Sequence, residues 1–516
     1  MSNSNLDAAW RYHSGTKHSY QSIRSNPHYL DWRNQPRLFK VYPKLDAIPL
    51  PRQVPPTGMA ALSAISTIPG ELESAAVPDM NALALLLHFS AGVTKERRLP
   101  GGETFFFRAA ACTGALYEFE LYLVCGDLPG LDAGVYHFGV KDFSLRRLRH
   151  GDWRGALAET TGGALTIVRA PLVIVCTGTY WRNAWKYQAR TYRHFGWDNG
   201  TIIANLLAMC AALRLPAEVV MGFVDEEVNR LFDLDTQREV TFSMVAVGQT
   251  PVKLPPPPGE VGQLGLETVP LSRKEVDYPV MREMHAASSL RSAEEVRAWR
   301  GKGPTKPLPV ASECVIRLEP LSDLEIQLDS IEQVILRRGS TRQFAREPIT
   351  LEQLSTLLDR ATRGVPADFL DPAGGQLNDV YLIVNAVEGL SPGAYLFRRE
   401  EGSLELLKEG DFREQAAYLG LEQELPGDAS VAVFFLADLR PILERFGNRG
   451  YRTTQLEAGI LGGKLYLAAY AQRLGASGLT FFDDDATNFF SPHAAGKSAI
   501  FLTAVGKSAR RSHSPG

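Results

Sequence analysis

Two arginines and a serine alternate at Arg338, Ser340 and Arg342, shortly before a helix start at Pro348. In an extended backbone, alternate side chains project from the same face, so these three polar groups can converge. The planar guanidinium of arginine matches the oxygens of a phosphate, and the hydroxyl adds another donor. The spacing therefore predicts a seat for a phosphate group. A solvated basic turn is the alternative that this stretch alone leaves open.

The pattern R-x-S-x-R-x-F, followed by P-I-x-x-E-x-L over 348–354, resembles a motif of the nitroreductase superfamily of flavin-dependent oxidoreductases. In that family the motif holds the phosphate and ribityl chain of flavin mononucleotide (FMN). The resemblance therefore implies FMN as the cofactor and Arg338, Ser340 and Arg342 as its ligands. We expect no metal, because the ten histidines do not cluster at ligand spacings.

The chain also repeats itself at an offset of 259 residues. The offset carries 122–124 onto 381–383, 151–154 onto 410–413, 190–193 onto 449–452 and 223–225 onto 482–484, which predicts a register without a gap. Two copies of one domain, each of ordinary domain size, explain this pattern. We expect an N-terminal extension over 1–60, a first domain (copy one) over 61–252, a proline-rich, charged connector over 253–325, and a second domain (copy two) over 326–510.

Each copy reads as an α+β domain, with a mostly antiparallel sheet flanked by helices. Runs of β-branched and aromatic residues predict strands at 119–125, 171–177, near 219–223 and at 240–248 in copy one, and at 378–384, 431–437, 479–482 and 499–506 in copy two. Long apolar periodic segments predict helices over 197–213 and 455–474. The fold class implied by the resemblance is two fused nitroreductase-like domains that form a pseudo-dimer within one chain.

A second resemblance narrows the family. The stretches 12–19 and 30–36 look like the start of SagB-type dehydrogenases, a nitroreductase branch similar to enzymes that oxidise thiazolines and oxazolines of modified peptides. Lys186 and Tyr187 resemble the lysine–tyrosine motif of that branch, which handles the proton of the substrate. Dehydrogenation needs a base beside a carbon acid, and burial can lower the pKa of a lysine enough for this role. The alternative is a surface lysine beside a tyrosine at the edge of the core.

The two copies have diverged in complementary ways. The stretch of copy one that corresponds to the phosphate seat, near 64–70, contains no arginine, and copy two has Arg445 and Phe446 where copy one has Lys186 and Tyr187. Nitroreductase flavins lie between two subunits, so the resemblance implies one composite FMN site between the copies.

Further residues of the composite site follow from the resemblance. Copy two is expected to place Gly478, Leu479 and Thr480 beside the flavin ring, where a small residue lets a backbone N–H reach N5. Lys507 and Arg510 resemble basic residues that close over the phosphate. Copy one is expected to add a loop with Cys112, Thr113 and Gly114, in which cysteine replaces the usual serine and Thr113 is the substitute hydroxyl. A disordered tail is the alternative for 507–510.

Bulk properties exclude several classes. A net charge of −3 argues against nucleic acid as a partner, and the polar first residues and the absence of a long apolar run predict a cytoplasmic protein without membrane contact. Five cysteines without a C-x-x-C pair give no support to a disulfide framework or zinc site. The run 495–498 has the ending of a P-loop without its first glycine, and the glycines at 459–463 read as helix-packing residues.

The leading hypothesis is an FMN-dependent oxidoreductase that moves a hydride between a small-molecule or peptide substrate and flavin N5. One alternative is a reductase of nitro or quinone compounds that takes electrons from NAD(P)H. Another is a non-catalytic flavin-binding or scaffold protein of a peptide-modifying complex. The substrate, the direction of transfer and a further homodimer are left open by the sequence.

Overall fold

The computed structural model describes residues 3–25, 27–68, 75–98, 101–102, 104–257, 260–301, 303–304, 314–370 and 375–509. The N-terminal extension and copy one contain helices α1 (Asp7–Gly15), α2 (Tyr20–Ser25), α3 (Ala61–Ser66), α4 (Met80–Ala91), α5 (Arg154–Thr160), α6 (Leu165–Arg169), α7 (Tyr180–Tyr187), α8 (Thr191–Ala212) and α9 (Asp225–Leu231). Their strands are β1 (Ala47–Pro49), β2 (Val93–Arg98), β3 (Thr104–Arg108), β4 (Phe119–Cys125), β5 (Gly134–Gly139), β6 (Ser144–His150), β7 (Leu172–Thr179), β8 (Ala217–Val220) and β9 (Glu239–Val247).

The connector contributes α10 (Pro279–Ala287), α11 (Ala293–Trp299) and β10 (Val315–Arg317). Copy two contains helices α12 (Ile331–Arg337), α13 (Leu351–Thr362), α14 (Arg413–Leu419), α15 (Glu424–Asp428), α16 (Leu439–Phe446), α17 (Arg449–Ala471) and α18 (Asp483–Phe489). Its strands are β11 (Ile349–Thr350), β12 (Asp379–Val384), β13 (Val387–Glu388), β14 (Gly393–Arg398), β15 (Ser403–Glu409), β16 (Val431–Ala437), β17 (Gly475–Leu479) and β18 (Ser498–Gly506).

Two seven-stranded antiparallel sheets dominate the fold and have the same strand order. Copy one has β1-β6-β5-β4-β7-β9-β8 and copy two has β10-β15-β14-β12-β16-β18-β17. The edge strands β1 and β10 come from the extension and the connector, so each sheet borrows its last strand from outside its own copy. The central strands are buried along their whole length, which explains their continuous apolar runs. The predicted α+β class with two fused domains is confirmed.

The two copies meet along the long central helices α8 and α17. A Cβ on Gly200 would lie 2.3 Å from the backbone of Gly459, and a Cβ on Gly459 would lie 2.5 Å from the carbonyl oxygen of Gly196. Glycine at these positions lets the two helix backbones approach closely. The Nε1 of Trp197 donates to the Gln455 side chain at 2.8 Å across the same contact. The glycines at 459–463 are therefore packing residues.

Four buried arginines and two buried aspartates tie the copies together reciprocally. Arg190 and Arg193 at the start of α8 pair with Asp483 of copy two, at 3.0 and 2.5 Å. Arg449 and Arg452 at the start of α17 pair with Asp225 of copy one, at 2.6 and 2.7 Å. These are the arginines of the repeated motif at 190–193 and 449–452, so the repeat in sequence marks the contact between copies.

Several predicted boundaries were wrong. The central helices begin at Thr191 and Arg449, nearly two turns before the predicted starts, because their first turns bury charged residues that hide the apolar period. The strands predicted near 219–223 and 479–482 lie at 217–220 and 475–479. The register also has a gap: Ala217 pairs with Val247, whereas Gly475 pairs with Gly506, so the local offset is 258. Asp225 therefore corresponds to Asp483.

No helix within the described ranges combines the length and the apolar composition that crossing a membrane requires.

Candidate active site

The predicted phosphate ligands follow α12, where copy two reaches copy one. The Nε of Arg338 donates to the carbonyl oxygen of Ala109 and its Nη2 to that of Arg108, each at 3.0 Å. The Oγ of Ser340 lies 3.3 Å from the hydroxyl of Tyr466 on α17. Arg338 therefore already connects the copies, and Ser340 faces the central helix.

Arg342 is exposed and makes no hydrogen bond or ion pair with any residue that the structure describes. Its charge nevertheless reaches copy one. Lys186 is exposed; partial desolvation lowers its pKa, and the Arg342 guanidinium lowers it further. The same guanidinium opposes the rise in the pKa of Tyr187, which burial and the acidic groups Asp198, Cys112 and Glu118 cause. One arginine of copy two and the lysine–tyrosine pair of copy one thus share a local electrostatic environment.

Lys186 and Tyr187 form the last turn of α7. The Lys186 ammonium lies 5.2 Å from the centre of the Tyr187 ring, and the His194 ring packs edge-on against that ring at 4.7 Å. On the other side, a Cβ on Gly114 would lie 2.8 Å from the Tyr187 hydroxyl oxygen. The Tyr187 side chain is therefore held between the central helix and a loop that has no room for a larger residue at Gly114.

The loop with Cys112, Thr113 and Gly114 has a strained backbone. Gly114, Ala115 and Tyr117 adopt positive φ angles of 64°, 54° and 52°, and the two non-glycine residues pay for this conformation. The amide of Thr113 donates to both carboxylate oxygens of Asp198 at 2.9 Å, and the Thr113 hydroxyl donates at 2.8 Å. The predicted substitute hydroxyl is thus turned into the protein, and Cys112 also faces Asp198 at 3.3 Å.

The predicted flavin-edge strand is β17, with Leu479 at its end. The N–H of Gly478 donates to the Tyr466 hydroxyl at 2.5 Å, so this N–H is occupied by the protein. A Cβ on Gly478 would lie 3.1 Å from the Phe501 ring, which explains the glycine by packing. The Thr480 hydroxyl is buried and has no hydrogen-bond partner among the described residues. The end of the strand at Thr480, rather than Gly478, therefore offers the unpaired polar group.

The C-terminal basic segment lies along the phosphate motif. Ala345 N–H donates to the Lys507 carbonyl and Ala509 N–H to the Gln343 carbonyl, at 2.9 and 3.0 Å. The described part of the tail, through residue 509, thus lies along 341–345. The Lys507 ammonium lies 3.6 Å from Glu347 at the surface. Arg510 lies outside the described residues.

The N-terminal extension covers the outer side of α7. The Nε1 of Trp185 donates to the Asp31 carbonyl at 3.0 Å, and His28 Nε2 lies 2.8 Å from the Trp185 carbonyl. The Trp32 ring packs edge-on against Trp185 at 5.2 Å and is 67 % exposed. The residues that resemble the SagB-type start thus border the Lys186 end of the helix.

The repeat relates the candidate site to a second face of the molecule, here called the opposite face, which is built differently. There, Arg445 and Phe446 take the positions of Lys186 and Tyr187, and the connector residue Trp299 packs on Phe446 at 5.2 Å and donates to its carbonyl at 2.9 Å. Arg445 donates to the carbonyls of Trp299 and Arg300, both at 3.1 Å. The connector therefore fills this opposite face.

Backbone donors on the opposite face are also occupied. The N–H groups of Met221 and Gly222 correspond at offset 258 to those of Leu479 and Thr480. They donate to the two carboxylate oxygens of buried Asp368, each at 2.9 Å. A Cβ on Gly222 would lie 2.9 Å from Asp368 and 3.2 Å from the Trp299 ring. This leaves no room for a ligand beside that strand.

Sequence reasoning missed Asp198, Glu118 and Tyr466. Asp198 and Glu457 stand at equivalent positions of the two central helices. A carboxylate kept at both positions in the middle of two buried helices was an available signal. Tyr466 was hidden because an aromatic residue on a buried helix reads as core.

Comparisons with known proteins agree with this architecture. Residues 335–506 match the sequence profile of the nitroreductase family. A protein of Methanocaldococcus jannaschii named as a nitroreductase is 27% identical over 176 residues, which cover 31% of this chain and 86% of that protein. The trifolitoxin-processing protein TfxB of Rhizobium leguminosarum bv. trifolii is 26% identical over 213 residues, or 40% of this chain and 56% of TfxB.

A solved structure extends the likeness to the whole chain. The crystal structure of an Anabaena variabilis protein named as a nitroreductase superposes with a TM-score of 0.78 at 26% identity. The match covers 97% of this chain and 99% of that one.

Proposed function

Because the chain belongs to the nitroreductase superfamily, we propose that it is an FMN-dependent oxidoreductase with one composite site between its two copies. The observation that carries the proposal is a contact between the copies: Arg338 of the phosphate motif donates to the carbonyls of Arg108 and Ala109 in copy one. These two residues lead into the loop whose Gly114 packs against the Tyr187 hydroxyl. A phosphate-binding motif and a candidate proton-transfer pair come from different copies, as expected for a flavin bound between them.

The residues present fit FMN. Arg342 is an exposed cation with no partner among the described residues, which suits a phosphate, and the buried Thr480 hydroxyl lacks a partner. Arg338 and Ser340 would complete the phosphate contacts, and the Gly114 loop would approach from copy one. When bound, FMN supplies a two-electron acceptor or donor at N5.

Lys186 is the candidate base. Its side chain is exposed, but partial desolvation and Arg342 both lower its pKa and so favour the neutral form, which can take a proton from a carbon acid. Tyr187 keeps its proton because burial and Asp198 raise its pKa, so its hydroxyl is a hydrogen-bond donor beside Lys186. This pair supports substrate dehydrogenation, the SagB-type activity, over reduction by NAD(P)H.

A single site per chain is supported by the opposite face. Trp299 and Asp368 cover the positions that correspond to Tyr187, Leu479 and Thr480, and the described part of α3 carries no arginine. The likeness to a toxin-processing protein supports a peptide as the substrate.

Anaerobic bleaching of the flavin tests the proposal. We expect a synthetic thiazoline-containing peptide to bleach the bound flavin of the wild-type protein, and Lys186→Met to keep its flavin but lose bleaching. Bleaching by NADPH and not by the peptide would favour the nitro or quinone reductase. A protein that cannot be loaded with FMN would favour the scaffold.

The pH dependence of bleaching gives a second test. A neutral Lys186 is required, so the rate rises as pH passes upward through its pKa. Arg342→Ala removes a positive charge that lowers this pKa, so the acid limb is expected to move to higher pH. An acid limb at the same pH in both proteins would show that Arg342 does not influence the pKa of Lys186.

A further inference from the structure

Two buried carboxyl groups lie beneath the Gly114 loop. Glu118 is fully buried and Asp198 is 5 % exposed. One oxygen of each carboxyl group and the Cys112 sulfur all lie within 4.8 Å of one another. Within the described part of the chain, neither carboxyl is paired with a lysine, arginine or histidine. Two unpaired negative charges this close in the interior would be very costly, so the pair must carry a proton.

The hydrogen bonds indicate where that proton lies. Asp198 accepts from the Thr113 amide and hydroxyl and from the Cys112 thiol, which suits an ionised carboxylate. Glu118 shares a side-chain hydrogen bond with Asp198 and lies 3.4 Å from the Cys112 sulfur, whose single hydrogen goes to Asp198. Its Oε1 has no partner in the described structure. Burial and the neighbouring Asp198 both raise the pKa of Glu118. The neutral member is therefore Glu118.

We propose that Asp198, with Glu118 as its protonated partner, is the positioning residue that clamps the strained Gly114 loop against Tyr187. The clamp is direct: Asp198 binds Thr113 by three contacts, and the next residue, Gly114, leaves no room for a Cβ beside the Tyr187 hydroxyl. A full carboxylate holds this loop better than a neutral acid because charged acceptors make stronger hydrogen bonds. The catalytic importance of Tyr187 rests on the proposed function. The clamp itself rests only on the contacts described above.

The geometry argues against a metal ion at the same cluster. The adjoining cavity, lined by Cys112, Glu118, Asp198 and Arg108, has a volume of about 10 Å³, the size of one water molecule. Arg108 brings a positive charge to its wall, and burial keeps Cys112 in the thiol form by raising its pKa. A cation would meet a neighbouring charge of the same sign.

The repeat provides a matched control. Glu457 of α17 corresponds to Asp198 and accepts from the Leu377 and Asn378 amides at 2.9 and 3.0 Å, on the opposite face. Glu457→Gln perturbs an equivalent buried anchor that binds Leu377 and Asn378 and not the Gly114 loop. Glu118→Gln copies the protonated acid, whereas Asp198→Asn removes the charge that binds Thr113.

Hydrogen–deuterium exchange of the peptide 109–118 tests the clamp without any substrate. We expect exchange to be about tenfold faster in Asp198→Asn, from the loss of a charged acceptor, and unchanged in Glu118→Gln and Glu457→Gln. If Asp198→Asn does not fold, Thr113→Val loses one of the contacts and should give a smaller acceleration. Exchange that is unchanged in the folded Asp198→Asn or, failing that, in Thr113→Val would overturn the clamp.

Infrared spectroscopy tests the shared proton. At neutral pH, the difference spectrum between wild type and Glu118→Gln should contain the carbonyl band of a protonated carboxyl group. An ionised-carboxylate band in its place, or one equivalent of metal bound to the purified protein and lost in Asp198→Asn, would refute the protonated pair. Neither readout needs flavin, so a colourless protein would refute the proposed function and leave this inference in place.

Discussion

Replacing Arg342 by alanine should weaken FMN binding and leave the apoprotein unchanged. The side chain is exposed and makes no contact with a described partner that folding would lose. A hydrogen bond to a charged group is worth about 1.5–3 kcal/mol. Each 1.4 kcal/mol is tenfold in affinity, so we expect the dissociation constant to rise by about 10–100-fold. The unfolding temperature of the apoprotein should not move.

Arg338→Ala should behave differently. Arg338 donates to the carbonyls of Arg108 and Ala109, so its loss also costs the apoprotein about 1–3 kcal/mol. Arg346→Ala is the control, because Arg346 is an exposed arginine four residues beyond Arg342 that pairs with Asp428. Quenching of FMN fluorescence measures binding in all three variants. Equal affinities for Arg342→Ala and Arg346→Ala would refute the phosphate seat.

Three further predictions concern the contacts between and around the copies. Asp483→Asn leaves Arg190 and Arg193 buried without their carboxylate, so the free energy of unfolding should fall by about 3–5 kcal/mol. Trp299→Ala empties the opposite face and should cost about 3–5 kcal/mol while FMN stays at one per chain. Gly459→Ala pushes a Cβ against backbone atoms of α8 and should cost about 1–3 kcal/mol.

Denaturant titration with two controls checks these stabilities. Asp484→Asn, beside Asp483 but exposed, should change stability by less than about 0.5 kcal/mol, and Gly15→Ala meets no atom within 4 Å. Burial alone would raise the pKa of Asp483, but Arg190 and Arg193 hold it well below its usual range. Its contribution is therefore present above the ordinary carboxyl pKa of about 4 and is lost as pH falls toward the depressed value. Wild type and Asp483→Asn should converge in acid, and a constant difference would contradict the buried bridge.

Most of the fold could be predicted from the sequence because the internal repeat showed two copies of one domain. The central strands were predicted to within a residue or two because their buried apolar runs leave little choice of element. The starts of α8 and α17 were missed because their arginines are buried on partners from the other copy, and no local pattern shows a distant carboxylate. The change of the repeat offset from 259 to 258 near Pro216 was equally hidden, since only the strand pairing reveals it.

Site residues could be predicted from the sequence where their type itself indicates chemistry. They could not be predicted where their role depends on which distant residues they pack against. Arg342 and Lys186 stood out as charges, and the structure brings them into one electrostatic environment. Gly478 was chosen for its size, yet its N–H is taken by Tyr466, a contact between elements that periodicity does not encode. Trp299, which fills the opposite face, lies in the connector. The connector is not part of the repeat, so comparing the two copies could not reveal this contact.

The number of flavins per chain tests the central claim most directly. FMN released from the purified, FMN-saturated protein should be quantified against protein concentration. One FMN per chain is the predicted result, bound about 10–100-fold more weakly in Arg342→Ala and kept in Trp299→Ala. Two FMN per chain would contradict the closure of the opposite face, and none after reconstitution would contradict the composite site itself.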